Sequence, residues 1–280
     1  MFTLINLELE TEINSLISRI PASDPSEIAA GFQTILENIH SRVPAKKRIS
    51  YGRYSIAKEL GLYLHPLLVQ AGIDVPEFSR QLFGDPDNEQ FVRSLAVQLN
   101  TIHADRIGNP SLVFPMLEKA AADDNWIVRE CSAGFVRKLI KPYRDQMNKW
   151  YLKMVRSEDP LKRRFACESL RPVADNGWFK NSPEFAFGII ENLYHEGEAY
   201  PRTSIGNSLS DWMRIDRDRA LAIVRRLADN GDKNSYWIAY RACRNLVKKE
   251  PLLVMDILKT DEYKYKDRRF FRSDYNGEKP

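Results

Sequence analysis

The chain is poor in the residues from which most reactive sites are built. Its 280 residues include three cysteines and four histidines. Cys131, Cys167 and Cys243 form no C-x-x-C pair, and their odd count argues against a disulfide framework. They read as small buried fillers between helices. His40, His65, His103 and His195 are scattered, with no H-x-x-x-H or H-E-x-x-H spacing for zinc. P-loop, G-x-G-x-x-G and G-x-S-x-G strings are absent, so ATP, dinucleotide and serine-hydrolase chemistries have no residues to stand on. Neither a metal nor a nucleotide cofactor is expected. No apolar run approaches the ~20 residues of a membrane helix, and the opening MFTLINLELETEI lacks the basic stretch of a secretory signal. No stretch reads as a strand, which disfavours a parallel-sheet enzyme. An apolar fraction of 43% and a charged fraction of 29% fit a soluble globular protein, and a reducing cytoplasm is its natural compartment.

What the chain has instead is a helix-sized pattern that recurs. Five segments begin at Arg93, Arg129, Arg164, Thr203 and Tyr240, spaced 36, 35, 39 and 37 residues apart. Offset +6 is always large and apolar: Leu99, Phe135, Leu170, Leu209, Leu246. Offset +3 is small: Ala96, Ser132, Cys167, Gly206, Cys243. Offset +2 is apolar: Leu95, Cys131, Ala166, Ile205, Ala242. At about 100° per residue these offsets share one stripe of a helix. A period of this size predicts an all-α solenoid of HEAT-like helical hairpins, each burying its face on its neighbours.

The pattern predicts a partner helix for each motif helix, near 110–122, 142–156, 182–195, 216–229 and 250–259. Upstream, helices are expected over Leu4–Ile20, from Pro25 to about Val43, from about Tyr54 to Ala71, and just after Pro76. Asp24-Pro25 and Asp159-Pro160 each place a cap residue before a first-turn proline. Residues 1–85 read as an N-terminal helical cap continuous with the solenoid, 86–262 as the repeats, and 263–280 as a basic tail. Pro44–Gly52 reads as a basic loop. The aromatic, basic stretch 264–272 reads as solvated or frayed, though it could touch a phosphate backbone.

The net charge of +4 hides an asymmetry: residues 1–124 hold 11 Lys+Arg against 16 Asp+Glu, and residues 125–280 hold 31 against 22. A basic inner surface suits a polyanion such as nucleic acid. Charge alone does not separate that reading from Lys and Arg solvating outer faces. Offsets 0, +4 and +8 form a second stripe facing away from the packing face. It carries Arg129 and Arg137, then Arg164 and Glu168, then Thr203, Asn207 and Asp211, then Tyr240, Arg244 and Lys248. Stacking predicts that Glu168, Asn207 and Asp211 lie near one another, with Glu130 bordering the stripe at offset +1. Carboxylates on a basic surface repel phosphate, and they make sense if something cationic is held there. Salt bridges between repeats fit the same spacing.

At these residues the chain resembles the HEAT-like DNA alkylation repair proteins, the AlkC-like branch more than AlkD. The resembling strings are Trp126-Ile-Val-Arg-Glu130, Arg163-Arg-Phe-Ala-Cys-Glu168-Ser-Leu-Arg-Pro172, Ser204-Ile-Gly-Asn207-Ser-Leu-Ser-Asp211, and Trp237-Ile-Ala-Tyr-Arg-Ala-Cys-Arg-Asn-Leu246 followed by Val-Lys-Lys249. They cover roughly residues 88–260. The sequence departs from the family in two places. Five residues, Val173–Gly177, stand between Pro172 and Trp178, where the family has a shorter link. Ser210 precedes Asp211, where the family often has Asn.

The resemblance implies an alkylbase DNA glycosylase acting on duplex DNA with cationic N3- or N7-alkylated bases, without a required base-flipping step. It implies Glu168, Asp211 and Glu130 as active-site acids and Trp178 as the lesion-side aromatic, with Trp212 as its alternative. Asn207 would order its helix or contact DNA. With the helix faces above, it implies Arg129, Arg164, Arg202, Arg244 and Lys248 as phosphate contacts. Trp126 and Trp237 open motif helices and are expected to pack between repeats. Two other readings stay open: a noncatalytic DNA-binding relative, and a scaffold whose concave face holds a protein partner.

Overall fold

The structure, a computed structural model, describes residues 5–47, 52–85 and 87–275. The segment Arg48–Tyr51 of the expected basic loop lies outside the described residues. The chain forms two compact units, Met1–Met147 and Asn148–Pro280. Among the described residues no helix is long and apolar enough to cross a membrane.

The first unit holds α1 (Leu7–Arg19), α2 (Pro25–Arg42), α3 (Arg53–Gln70), α4 (Val75–Gly84), α5 (Gln90–Arg106), α6 (Phe114–Ala121), α7 (Trp126–Phe135) and the single turn α8 (Arg137–Ile140). Helix α9 (Arg144–Val155) crosses from residue 147 into the second unit. The second unit continues with α10 (Pro160–Ser169), α11 (Glu184–Ile190), α12 (Ala199–Trp212), α13 (Arg217–Asp229), α14 (Lys233–Ala242) and α15 (Pro251–Leu258). It ends in a two-stranded antiparallel hairpin, β1 (Glu262–Tyr265) and β2 (Arg268–Phe271).

The motif helices are α5, α7, α10, α12 and α14, and the partners expected between them are present as α6, α9, α11, α13 and α15. In the first unit α3, α5 and α7 lie side by side, with α4 against α5 and α6 against α7. In the second, α10, α12 and α14 lie side by side, with α13 packed on α12, α14 and α15. All fifteen residues at offsets +2, +3 and +6 are buried. Small residues at +3 set how closely neighbouring helices approach. A Cβ on Gly206 would stand 2.6 Å from the Cβ of Arg241 and 3.2 Å from the Ile238 carbonyl oxygen, so α12 meets α14 at a spacing that only glycine permits. Burial raises the thiols of Cys131 to about 11, of Cys243 to about 12 and of Cys167 higher still, which keeps all three unreactive near neutral pH.

Helix starts follow the expected chemistry. The Asp24 carboxylate accepts from the Ser26 amide and the Asp159 carboxylate from the Leu161 amide, both at 2.8 Å. Each such cap contributes about 1 kcal/mol. Asn125 and Asp232 cap α7 and α14 in the same way.

The first unit buries an unusual pair. His65 Nε2 and His103 Nδ1 stand 3.4 Å apart, and His65 is 4% exposed. Burial, with His103, Arg106 and Lys138 nearby, lowers the His65 pKa to about 4. The unfolded chain therefore takes up this proton near pH 6.5 and the folded chain only near 4, so this contribution to stability is complete above about pH 6.5 and declines as pH falls toward 4. Between pH 7 and pH 5 the loss is about 2 kcal/mol. In urea melts at the two pH values, His65→Gln is expected to shrink the native protein's drop by about that amount. An equal drop in both proteins would remove His65 as its source.

Two expectations are corrected here. The tail is not frayed: residues 262–271 pair as a hairpin in which Tyr263 and Phe270 are buried opposite each other. Trp126 does not pack away between repeats: it is the first residue of α7 and is 62% exposed, whereas Trp237 on α14 is 36% exposed, with the guanidinium of Arg202 from α12 5.1 Å from its ring centre.

Candidate functional site

In the second unit the polar stripe closes over itself. Glu168, at the end of α10, and Asp211, at the end of α12, are 4% and 5% exposed. Arg171, in the turn after α10, joins them. Its Nη1 donates to Glu168 Oε2 at 3.0 Å, its Nε donates to Asp211 Oδ2 at 2.9 Å, and its Nη2 donates to the same Asp211 oxygen. Arg214, one turn past Asp211, donates to Oδ1 at 2.7 Å. Arg164 stands 3.7 Å from Glu168, with its guanidinium 4.3 Å from the centre of the Tyr200 ring.

Burial works against the charge of Arg171, but the carboxylates of Glu168 and Asp211 outweigh it and raise its pKa, so its guanidinium stays charged. The turn that carries Arg171 is itself fixed. Buried Asn176 donates from Nδ2 to the carbonyls of Ser169 and Arg171, each at 2.8 Å. The loop that departs from the family pattern thus supplies the brace for the bridge.

The stripe faces away from the packing face as expected, yet its acids are not open to solvent, because the long side chains of Arg171 and Arg214 lie over them. Glu168 and Asp211 are brought together, two acids on neighbouring helices sharing one guanidinium. Asn207 turns to the next repeat and accepts from Arg241 Nε at 2.9 Å. Trp178 lies half-buried in a 3-10 segment (Ala174–Lys180), its ring 4.4 Å from Phe179 and 5.8 Å from Phe185. Trp212 is fully buried against Phe179 and Phe187. That burial rules out Trp212 as the alternative lesion aromatic.

The predicted phosphate contacts divide into two groups. Arg244 is half-buried, and burial followed by the neighbouring Arg241 lowers its pKa. Lys248 is exposed, with Nζ 5.3 Å from the centre of the Tyr265 ring. Arg129 and Arg202 are engaged in the fold. Arg129 Nη1 donates to the Asp123 and Asp124 carbonyls of the preceding turn. Arg202 Nη1 donates to the Gly197 carbonyl at 3.1 Å and to Asn234 of the next repeat.

They belong to a series the sequence reading missed. Arg163 Nη1 donates to the carbonyls of Ser157 and Glu158 at 2.8 Å, while its other nitrogens grip Glu196 at 2.6 and 2.9 Å. Arg93 pairs with Asp123 at 3.2 Å. A planar five-donor fork can satisfy the carbonyls of one turn and an acid of the next repeat together. The available signal was an arginine at offset 0 or −1 followed about 30 residues later by Asp, Glu or Asn.

Glu130 belongs to the first unit. It borders an open cavity of about 360 Å³ with Arg53, Tyr54, Trp126, Gly134 and Arg137. Tyr54 stacks on Phe135 with ring centres 5.1 Å apart. Exposed Trp126 gives this cavity an aromatic face, beside Glu130 and the two arginines Arg53 and Arg137.

Comparison with known proteins places these residues. Residues 124–246 match the family model described as DNA alkylation repair enzyme. AlkD2 from Streptococcus mutans superposes with a TM-score of 0.51 at 22% identity, over 61% of this chain and 80% of that one. The Pseudomonas fluorescens alkylpurine DNA glycosylase AlkC, bound to DNA containing an abasic site analog, superposes with a TM-score of 0.53 at 15% identity, over 92% of this chain and 67% of that one. A search of curated proteins finds no match. The solved structures share the all-α helical-repeat fold, and the segment that matches the DNA alkylation repair enzyme model, residues 124–246, holds Glu130, Glu168 and Asp211.

Proposed function

We propose that the chain is a DNA glycosylase that binds duplex DNA and hydrolyses the N-glycosidic bond of cationic N3- or N7-alkylated bases. The observation that carries this reading is the buried Glu168–Arg171–Asp211 bridge within the family segment. An alkylated purine of this kind already bears a positive charge, so its bond to the sugar is weak. Breaking the C1′–N bond releases a neutral base and leaves an oxocarbenium-like sugar. Water adds to C1′ and yields its proton to a carboxylate. Two acids held ready at one place stabilise the cationic sugar and orient that water, as carboxylates do in glycoside hydrolysis. Arg244 and Lys248 supply phosphate contacts, and half-buried Trp178, in the same unit as the two acids, is the aromatic for the lesion side. The fold shared with AlkC, which was captured on DNA containing an abasic site analog, supports the same reading. A reducing cytoplasm, where three buried thiols persist, suits it.

A noncatalytic DNA-binding role draws on the same ion pairs, because guanidiniums already cover both acids. The deciding experiment is release of free 3-methyladenine and 7-methylguanine from methylated duplex DNA. Release by the native protein is expected. Salt-dependent DNA binding without release would establish the noncatalytic relative, and absence of both would leave a protein-binding scaffold.

A further inference from the structure

We infer that the C-terminal hairpin is a second, fixed contact to the phosphate backbone of duplex DNA; this rests on the DNA-binding reading above. The hairpin is docked, not trailing. Tyr263 stacks on Tyr240 with ring centres 4.2 Å apart and donates its hydroxyl to the Tyr240 carbonyl at 2.7 Å. The Tyr240 hydroxyl donates to the Lys264 carbonyl at 2.8 Å and accepts from the Lys264 amide at 2.7 Å. Behind β2, Arg272 pairs with Asp256 at 2.8 Å and Asp261 at 3.0 Å. The platform therefore stands on α14, the motif helix that carries Tyr240.

The hairpin carries more exposed cations than its fold requires. Lys264 and Arg269 are directly opposite each other across the strands, and both are exposed. Like charges in that relation destabilise a hairpin. Arg268 lies opposite Tyr265, and Lys266 occupies the turn with φ of +55°, a conformation that favours glycine. Two ammonium groups flank one ring: Lys248 Nζ at 5.3 Å and Lys266 Nζ at 5.8 Å from the centre of Tyr265. Residues 262–271 hold four cations, Lys264, Lys266, Arg268 and Arg269, against two acids, Glu262 and Asp267. Glu262 reaches Arg269 at 3.3 Å. Several exposed cations on a rigid support, continuous with Lys248, match a polyanion whose charges repeat along a line.

The test compares the full-length native chain with Lys264→Gln/Lys266→Gln/Arg268→Gln/Arg269→Gln and with Glu262→Gln/Asp267→Asn, on undamaged duplex DNA over a range of salt. The first variant is expected to bind at least about tenfold more weakly at 0.1 M salt, with the log–log salt slope shallower by about two to four. The second is expected to bind more tightly than the native chain, a gain that misfolding does not produce. A native chain that binds DNA, with the slope unchanged in the first variant, overturns this inference alone. A native chain that shows no salt-dependent binding overturns it together with the DNA-binding reading.

Discussion

Asp211→Asn and Glu168→Gln are each expected to lower methylated-base release by about 10²–10³-fold in single-turnover assays at saturating protein, the size of loss seen when one preorganised charge-stabilising group is removed. The amide replacements keep shape and can still accept from Arg171, so the turn after α10 stays in place. What disappears is negative charge at a site 4–5% exposed, where the low local dielectric makes a charge count most. DNA affinity should hold or rise, because one charge that repels phosphate is gone. Lost rate with retained or tighter binding cannot come from unfolding. Rates within about threefold of native for both variants would remove the two acids from the chemistry.

The same two residues mark how far the sequence could be read. All fifteen positions that the repeat offsets marked, from Leu95 to Leu246, are buried, because periodicity reports which face of a helix meets its neighbours. The second stripe was equally legible, and it brought Glu168 and Asp211 to one place. Periodicity does not report what a turn residue does. Arg171 lies in the turn after α10 and Asn176 in the short 3-10 segment that follows, yet together they hold the two acids in place. Arg129 and Arg202 sit on an outward face but direct their donors at backbone carbonyls, a choice made by loop geometry that no spacing rule contains. The hairpin escaped for another reason. Its strands have four residues each and its turn is Lys-Asp, where Asn-Gly would have signalled it, so the alternation of Tyr263 and Tyr265 was too short to stand out. Trp126 shows the reverse error: an aromatic at a helix start reads as core by composition, and it is 62% exposed.

Arg171→Met should cost about 3 kcal/mol of stability, measured as a shift of the urea midpoint at unchanged slope, since it leaves two buried carboxylates without their shared partner. The side chain of Arg171 is 26% exposed and those of Glu168 and Asp211 are 6% exposed, so solvent screens the loss only in part. Arg171→Lys should recover a minority of it, because one ammonium on a flexible stem cannot reproduce the contacts of Nε and Nη2 to Asp211 together with Nη1 to Glu168. The discriminating measurement is the double-mutant cycle. If the bridge neutralises the acids, Arg171→Met combined with Asp211→Asn should be less destabilised than the sum of the single changes, with a coupling above about 1 kcal/mol. Simple additivity would mean that Arg171 acts by packing on its turn and that Arg214 and Arg164 suffice to hold the acids. Coupling would mean that the Arg171 guanidinium balances the charge of the two acids at the place where the proposed chemistry needs a cation.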